Sequence, residues 1–382
     1  MSFSPFDEMA MRRALELAAR GLNSTQPNPR VGAVVARDGE IIGEGWHERA
    51  GQPHAEPLAL QAAGERARGG AIYVTLEPCC HHGRTPPCVD ALLAAGVRRV
   101  VYAIDDPNPR VAGGGAARLR AAGIVVQSGL LAAEAEALNE GFLMRMRVQR
   151  PFVRLKSAAS LDGRTALANG ASKWITGEAA RADVQLWRAR SGAVLTSAAT
   201  VLADDPRLDV RIDTPRQPLR VVLDRRRAVR RTARILQPPG EVLLFSTARP
   251  APAKPTSAKA RVAKPEMLGP ARIERLRVVR GHLDLKRVFA RLAEFDINDV
   301  LVEAGPKLAG ALLAAGLVDE WLVYVAPMLL GKDARPLAEL PRLASLKTAP
   351  KFALLDSVHL GADLRLRLRP LGRSVDRSKT RK

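Results

Sequence analysis

All three cysteines of the chain, Cys79, Cys80 and Cys88, fall within ten residues, and four of its six histidines stand at 47, 54, 81 and 82. Ligands gathered this tightly ask for a metal, and thiolate with imidazole is the ligand chemistry of zinc. A fold that serves the cluster has to bring the segment around His54 beside the segment 79–88, which constrains how the first hundred residues pack. Three cysteines in 382 residues make no disulfide framework. The cytoplasm is therefore the expected location.

The spacing inside the cluster narrows the chemistry. His54-Ala55-Glu56 is followed by Glu77-Pro78-Cys79 and then by Cys88. A catalytic zinc keeps three protein ligands and leaves its fourth position to water. One imidazole and two thiolates balance the charge yet leave a Lewis acid that makes water acidic near neutral pH, and a carboxylate beside a ligand then moves the protons. Zinc nucleobase deaminases carry His-x-Glu followed by Pro-Cys-x-x-Cys. Here the cysteines are nine apart, so that pattern is met only in part. Two cysteines and a histidine alone serve a structural zinc or a redox pair equally well; His54-x-Glu56 is what favours catalysis. Positions i and i+2 of a helix diverge by about 200°, so these two residues share a site only if one lies at the helix's starting edge.

Around the cluster the chain alternates. Met11, Ala14, Leu15, Leu17 and Ala18 predict a helix capped by Asp7 and stopped at Gly21. Strands are predicted over 31–36 and 41–46, joined by the turn pair Asp38-Gly39. A helix over 55–68, a strand over 71–76, a helix over 88–95, a strand over 99–104, a turn at Gly113-Gly114-Gly115, a helix over 116–122 and a strand over 124–127 complete an α/β sandwich. Residues 132–147 read as a connecting helix, punctuated by Pro151. The second half alternates again, with strands predicted at 152–157, 193–195, 219–223, 242–245, 300–303 and 321–325. The stretch 250–270, rich in Pro, Ala and Lys, reads as a mobile loop and 373–382 as a disordered basic tail. The expected domains are 1–148 and 149–372.

Sixty basic and 39 acidic residues give a net charge of +21, which invites a nucleic-acid reading. The charge is local, however: residues 1–150 carry +1, and 207–291 alone hold 22 basic against 7 acidic residues. An RNA-editing deaminase needs aromatics among those basic residues for base stacking, and 207–291 offers only Phe245 and Phe289. A binding module with a structural zinc leaves Glu56 without a purpose. No apolar run approaches a membrane span, and residues 1–12 have no signal-peptide character. Neither a nucleic-acid nor a membrane partner is expected, and a homo-oligomer stays open. No Gly-x-Gly-x-x-Gly follows a strand, so a Rossmann dinucleotide site is not supported. The strand running into Gly305 and a helix is the better phosphate candidate.

Four segments of the first half, Asn28-Pro29-x-Val31-Gly32, His54-Ala55-Glu56, Glu77-Pro78-Cys79-x-His81-x-Gly83-Arg84-Thr85-Pro86-Pro87-Cys88 and Asp106-Pro107-Asn108-Pro109, closely resemble the deaminase half of the bifunctional riboflavin-biosynthesis deaminase–reductases. In the second half, Lys156-x-x-x-Ser160-Leu161-Asp162-Gly163-Arg164, Ser172-x-Trp174-Ile175-Thr176, Thr200-Val201-Leu202-Ala203-Asp204-Asp205-Pro206 and Val302-Glu303-Ala304-Gly305-Pro306 resemble their reductase half. The likeness covers residues 7–369 in family order.

This resemblance implies a cytidine-deaminase-like three-layer α/β/α domain followed by a dihydrofolate-reductase-like α/β domain, with zinc and NADPH as cofactors. It implies hydrolytic deamination of 2,5-diamino-6-(5-phosphoribosylamino)pyrimidin-4-one, then reduction of the ribosyl group to give 5-amino-6-(5-phosphoribitylamino)uracil. His54, Cys79 and Cys88 would bind zinc and Glu56 would shuttle protons. Asn28, His47, His81, Arg84, Asp106 and Asn108 would line the deaminase pocket. In the reductase, Ser172, Arg188, Leu208, Arg211 and Glu303 would contact substrate, the two guanidinium forks suiting a phosphate. Ala158, Trp174, Thr200, Asp204, Gly305, Pro306, Lys307, Leu308, Ala309, Gly310 and Ala311 would contact NADPH. Cys80 stands where the family has Ser and reads as a bystander to the metal. Lys156, Asp204 and Glu303 are unranked candidates for the reductase proton donor.

Overall fold

The structure, a computed structural model, describes residues 2–82, 86–108, 111–247, 266–279 and 281–372. Arg84, residues 250–265 of the expected mobile loop and the tail 373–382 lie outside the described residues; the end of that expected loop, Glu266–Leu268, is instead a strand. The chain divides into two compact units, Met1–Arg150 with Asp296–Asn298, and Pro151–Phe295 with Asp299–Lys382.

The first unit begins with α1 (Pro5–Ala19), whose cap is Ser4 rather than the expected Asp7. Pro5 starts the helix early, and Asp7 becomes its third residue. The Ser4 hydroxyl accepts from the Asp7 amide, and the Asp7 carboxylate accepts from the Ser4 amide. Asp7 is buried, and it also accepts from the Tyr73 hydroxyl and the Arg99 guanidinium. Strands β1 (Gly32–Arg37) and β2 (Glu40–Trp46) meet through Asp38 and Gly39, both at positive φ. There follow α2 (Ala55–Ala63), β3 (Ala71–Val74), α3 (Cys88–Ala95), β4 (Arg99–Tyr102), α4 (Gly114–Ala121) and β5 (Val125–Ser128). The sheet order is β2-β1-β3-β4-β5. Strand β1 is antiparallel to both neighbours, and β3, β4 and β5 are parallel.

Three glycines set the layers. A Cβ on Gly32 would lie 2.0 Å from the Ala14 carbonyl oxygen of α1, whereas one on Gly45 would lie 2.5 Å from that of Ala55 in α2. Gly45 pairs with Ala33, one step along from Gly32, and successive residues face opposite sides of a sheet. The two helices therefore cover opposite faces, and Gly43, under Ala59 and Ala63, lets α2 sit as close as Gly45 does. The expected single helix over 132–147 is broken into α5 (Ala132–Leu138) and α6 (Glu140–Val148). Asn139 is the reason: its side chain accepts from the Arg30 amide and donates to the Arg30 carbonyl.

The second unit is built on one ten-stranded sheet. Its strands are β6 (Phe152–Ser160), β7 (Ala193–Ser197), β8 (Leu219–Leu223), β9 (Val242–Thr247), β10 (Glu266–Leu268), β11 (Ala271–Leu276), β12 (Asp299–Glu303), β13 (Glu320–Ala326), β14 (Phe352–Leu360) and β15 (Asp363–Pro370). Across the sheet the order is β10-β11-β9-β8-β7-β12-β6-β13-β15-β14. The stretch from β11 to β13 is parallel, and β10, β14 and β15 add antiparallel edges. Helix α7 (Glu178–Arg190) packs Ala180, Val184 and Trp187 onto Val194, Val222, Leu301 and Leu322. The remaining helices are α8 (Ala198–Asp204), α9 (Leu285–Glu294) and α10 (Pro306–Ala315). Hairpin β14–β15 is missing from the sequence reading, although Leu364, Leu366 and Leu368 alternate with Arg365, Arg367 and Arg369 in a period-two pattern. No helix among the described residues is long and apolar enough to cross a membrane.

Candidate active sites

Two helix starts and one strand exit converge in the first unit. His54 is the N-cap of α2, with extended backbone, and Glu56 lies in that helix's first turn, the edge geometry that an i, i+2 pair requires. Cys88 is the first residue of α3, and Cys79 lies in the segment beyond β3. His54 Nδ1 is 3.2 Å from Cys88 Sγ and 3.6 Å from Cys79 Sγ, and the Cys88 amide donates to Cys79 Sγ at 3.3 Å. The three ligand atoms lie within 4.8 Å of one another. Hydrogen bonding from Cys88, then from His54, draws the Cys79 thiol down to about 4, and the reciprocal contact with burial pushes Cys88 well up. The bond to Cys79 raises the pKa of His54. A triad of one imidazole and two thiols gathered at two positive helix ends fits zinc. Cys80 is outside this set; its thiol donates to the Val111 carbonyl at 4.0 Å.

His54, Glu56 and Cys79 line a cleft of about 360 Å³ within the first unit. Glu56 is buried, and its Oε2 has no hydrogen-bond partner among the described residues. Burial pushes its carboxyl pKa up. His47 Nδ1 donates to the Pro53 carbonyl, and Nε2 accepts from the Asn28 amide, both at 3.0 Å. That pairing fixes one neutral tautomer, and burial lowers the ring's pKa. Asp106 is pushed up to about 6 by burial and accepts from the Asn108 amide. His81, Asp106 and Asn108 all reach the cleft, so five of the six residues expected there line it, and the sixth, Arg84, is outside the described residues.

Sequence reasoning misses two features of this cleft. Glu77 accepts from the amides of Asp106, Gly113 and Ala116, holding the start of α4 and the Asp106 loop to the metal-ligand segment. The glycines at 113–115 are accordingly more than the expected turn: α4 begins at Gly114, and a Cβ on Gly115 would lie 1.9 Å from the Pro78 carbonyl oxygen. The second feature is that α6, read only as a connection, lends Phe142, Arg145 and Met146 to the cleft wall. Their i, i+3, i+4 spacing is the only signal for it.

In the second unit the C-terminal end of β12 carries Glu303, against which Arg188 of α7 places Nε and Nη2 at 2.5 and 3.0 Å. Arg188 Nη1 donates to the Asp209 carbonyl, and Arg211 Nη1 reaches the Asp209 carboxylate at 3.1 Å. Lys156 Nζ lies 4.0 Å from Glu303 Oε2. Burial works to raise the Glu303 pKa, but Arg188 and then Lys156 hold it below the usual range. Lys156 is pulled down by burial. Gly305 is the N-cap of α10 with no side-chain capping bond, and a Cβ there would meet nothing within 4 Å. Such an open, uncapped helix start suits a diphosphate. Deeper in α10, Ala309 is buried and Gly310 packs against the Glu339 backbone, so packing already accounts for both. Thr200 and Asp204 lie at the two ends of α8, where the Lys173 ammonium donates to the Asp204 carbonyl. Trp174 is exposed under the Arg181 guanidinium, Leu208 adopts positive φ, Ala158 lies on β6 opposite Tyr324, and the Ser172 carbonyl accepts from the Ile175 amide.

Comparison with known proteins adds to this geometry. Residues 4–104 match the cytidine and deoxycytidylate deaminase zinc-binding region, and residues 151–366 match the RibD C-terminal domain. The riboflavin biosynthesis protein RibD of Escherichia coli is 53% identical over 95% of this chain and 99% of its own length. The chain belongs to the RibD family. The Haemophilus influenzae RibD is 46% identical, over 97% of this chain and all of its own. An Acinetobacter baumannii RibD structure superposes with a TM-score of 0.85 at 48% identity, covering 96% of this chain and 99% of that one. A Thermotoga maritima structure, a diaminohydroxyphosphoribosylaminopyrimidine deaminase/5-amino-6-(5-phosphoribosylamino)uracil reductase, does so with 0.82 at 35% identity and the same coverage. As a RibD family member, the chain is a bifunctional enzyme of riboflavin biosynthesis, with a zinc-binding deaminase-like domain followed by a reductase domain.

Proposed function

We propose that the first unit deaminates 2,5-diamino-6-(5-phosphoribosylamino)pyrimidin-4-one and that the second reduces the ribosyl chain of the product, yielding 5-amino-6-(5-phosphoribitylamino)uracil. The observation that carries the deaminase reading is Glu56, a buried carboxyl with an oxygen unpartnered among the described residues, in the same cleft as His54 and Cys79, which cluster with Cys88. Zinc held by those three residues supplies Lewis acidity toward water. Glu56, its pKa raised, takes one proton from water and gives it to the ring nitrogen, then takes a second from the hydroxyl that has added to the ring carbon and gives it to the departing amine, so that water and substrate become the uracil and ammonia. His47, neutral and held between Pro53 and Asn28, presents a fixed surface to the pyrimidine, and Asp106 with Asn108 offers polar atoms to its sugar.

In the second unit NADPH supplies the hydride when bound, and the backbone amides of Gly305, Lys307 and Leu308 would receive its diphosphate, Pro306 having no N–H to give. Lys156 is the proton donor best supported among the three candidates, because it is buried beside Glu303 and its lowered pKa eases proton release. Glu303 keeps Lys156 and Arg188 in place. The partner is thus a phosphorylated small molecule, and a cytoplasmic location goes with a site that needs Cys79 and Cys88 as free thiols. The test is to supply the diaminopyrimidinone phosphate with and without NADPH. Ammonia should appear in both samples, and NADPH oxidation should accompany the first alone. No ammonia in either sample would refute the deaminase assignment.

A further inference from the structure

Strand β6 runs between β12 and β13, and Lys156 on it pairs with Glu303 on one side and with Leu322 on the other. Tyr324 is two residues beyond Leu322 and so shares its face of the sheet. The Lys156 ammonium lies over the Tyr324 ring, 5.7 Å from its centroid, and 4.0 Å from Glu303 Oε2. Lys156 and Glu303 serve the chemistry proposed above; Tyr324, wholly buried, has no part in it.

The charges around Lys156 leave it short of a counter-ion. Glu303 is the carboxylate beside it, but the Arg188 guanidinium of α7 takes both oxygens, at 2.5 and 3.0 Å. One carboxylate thus faces two cations, and burial and Arg188 both disfavour the ammonium. An aromatic face attracts a cation within about 6 Å of its centroid, and more strongly where water is excluded; the Lys156 side chain is 19% exposed. The Tyr324 ring is anchored at its far end. Its hydroxyl donates to Asp183 Oδ2 at 2.6 Å, and Asp183 accepts in turn from Trp187 Nε1 at 3.1 Å and from Arg365 Nη1 at 2.9 Å. Burial and then the bond to Asp183 push the phenol well above its ordinary pKa. It stays neutral, so what it presents to Lys156 is a ring face and not an acid.

We propose that Tyr324 is the positioning residue of the reductase proton donor: its ring face holds the Lys156 ammonium beside Glu303 and keeps it protonated. The proposal rests on the reading of Lys156 as that donor. The groups facing Lys156 are Glu303 of β12, Arg188 of α7 and Tyr324 of β13, with Asp183 of α7 and Arg365 of β15 reached through the Tyr324 hydroxyl. Of these, the ring alone can be altered without removing a formal charge. A Tyr324 that only fills the core affects stability at every pH alike. One that steadies the ammonium sets the pH at which Lys156 loses its proton.

The experiment follows NADPH oxidation by the full-length enzyme on the deaminated substrate, from neutral to alkaline pH. A donor that must be protonated gives kcat an alkaline limb. Tyr324→Leu should move that limb to lower pH by about 0.5–1 unit, whereas Tyr324→Phe, which keeps the face, should leave it in place. An unmoved or raised limb in Tyr324→Leu overturns the proposal. So does a limb in Tyr324→Phe displaced as far as in Tyr324→Leu, because the bond to Asp183 and not the ring is then responsible. If Tyr324→Leu does not fold, phenylalanines carrying one, two and three ring fluorines take position 324. These nearly keep the volume and drain the face, so the limb should step down along the series, and a limb common to all of them overturns the proposal. Lys156→Gln separates the two failures. If it retains the wild-type limb, Lys156 is not the donor and the proposal falls with that reading; if it abolishes the limb while the changes at 324 leave it fixed, only the role of Tyr324 falls.

Discussion

Glu56 is 3% exposed in the first turn of α2, on the wall of the cleft, and no ion pair with it among the described residues explains its burial. A carboxyl there is costly unless it is protonated or used. Glu56→Gln keeps the shape and removes the titration. The variant should retain one zinc per chain by metal analysis and lose ammonia release by about 10²–10⁴-fold; activity above a tenth of wild type would remove Glu56 from the proton path. This residue is legible in the sequence because its constraint is local: an i, i+2 pair can share a site only at a helix edge, and His54 is that edge. Glu77 and Arg145 are not legible in the same way. Glu77 works by accepting amides 29 to 39 residues away, which leaves no mark in its neighbours. Phe142, Arg145 and Met146 repeat at the spacing of an ordinary core-facing helix, so only the folded cleft distinguishes them.

Among the elements, β6, β13 and β15 are tied by one buried charge set. Glu320 accepts from Arg154 at 2.6 Å and from Arg367 at 2.9 Å, and Glu320 and Arg154 are almost fully enclosed. Burial works to raise the Glu320 pKa, but Arg154 and then Arg367 outweigh it and hold the carboxyl at about 2, against an ordinary 4.5. Because the folded value is the lower one, the stabilisation is complete above about pH 4.5 and is lost as pH falls toward 2. Glu320→Gln should cost about 3–5 kcal/mol at neutral pH by removing the buried carboxylate that Arg154 and Arg367 share, and it should flatten the loss of stability of the second unit between pH 4.5 and 2. Urea unfolding across that range measures both, and an unaltered pH slope would show that another group carries the acid sensitivity. Element borders show where sequence stops. The apolar pattern over 132–147 is continuous, and what breaks it is the bond of Asn139 to Arg30, 109 residues away. The alternation in 364–369 is a plain strand signal masked by its arginines, two of which, Arg365 and Arg367, pair with Asp183 and Glu320 far away in sequence and with Asp356 on the neighbouring strand.

For the molecule as a whole, the +21 charge gains a different meaning once its partners are known. Arg188 is committed to Glu303, Arg207 and Arg211 to Asp209, and Arg275 and Arg291 to Glu266 and Glu274. Much of the arginine that suggests nucleic acid is thus internal bracing of the second unit, and the chemistry asks only for small-anion contacts. The candidate metal ligands all fall within 54–88, whereas Lys156, Arg188 and Glu303 all lie beyond residue 150, so neither chemistry borrows a side chain from the other. Removing zinc with a chelator should therefore abolish ammonia release, yet NADPH oxidation should continue when the already deaminated uracil is supplied. Glu303→Ala should do the reverse, because Lys156 and Arg188 lose the carboxylate that holds them: ammonia continues and NADPH oxidation falls by at least about a hundredfold, the scale expected of a misplaced catalytic group. Loss of reduction on chelation, with deaminated substrate present, would mean that the metal supports both activities and that the two sites are not chemically independent.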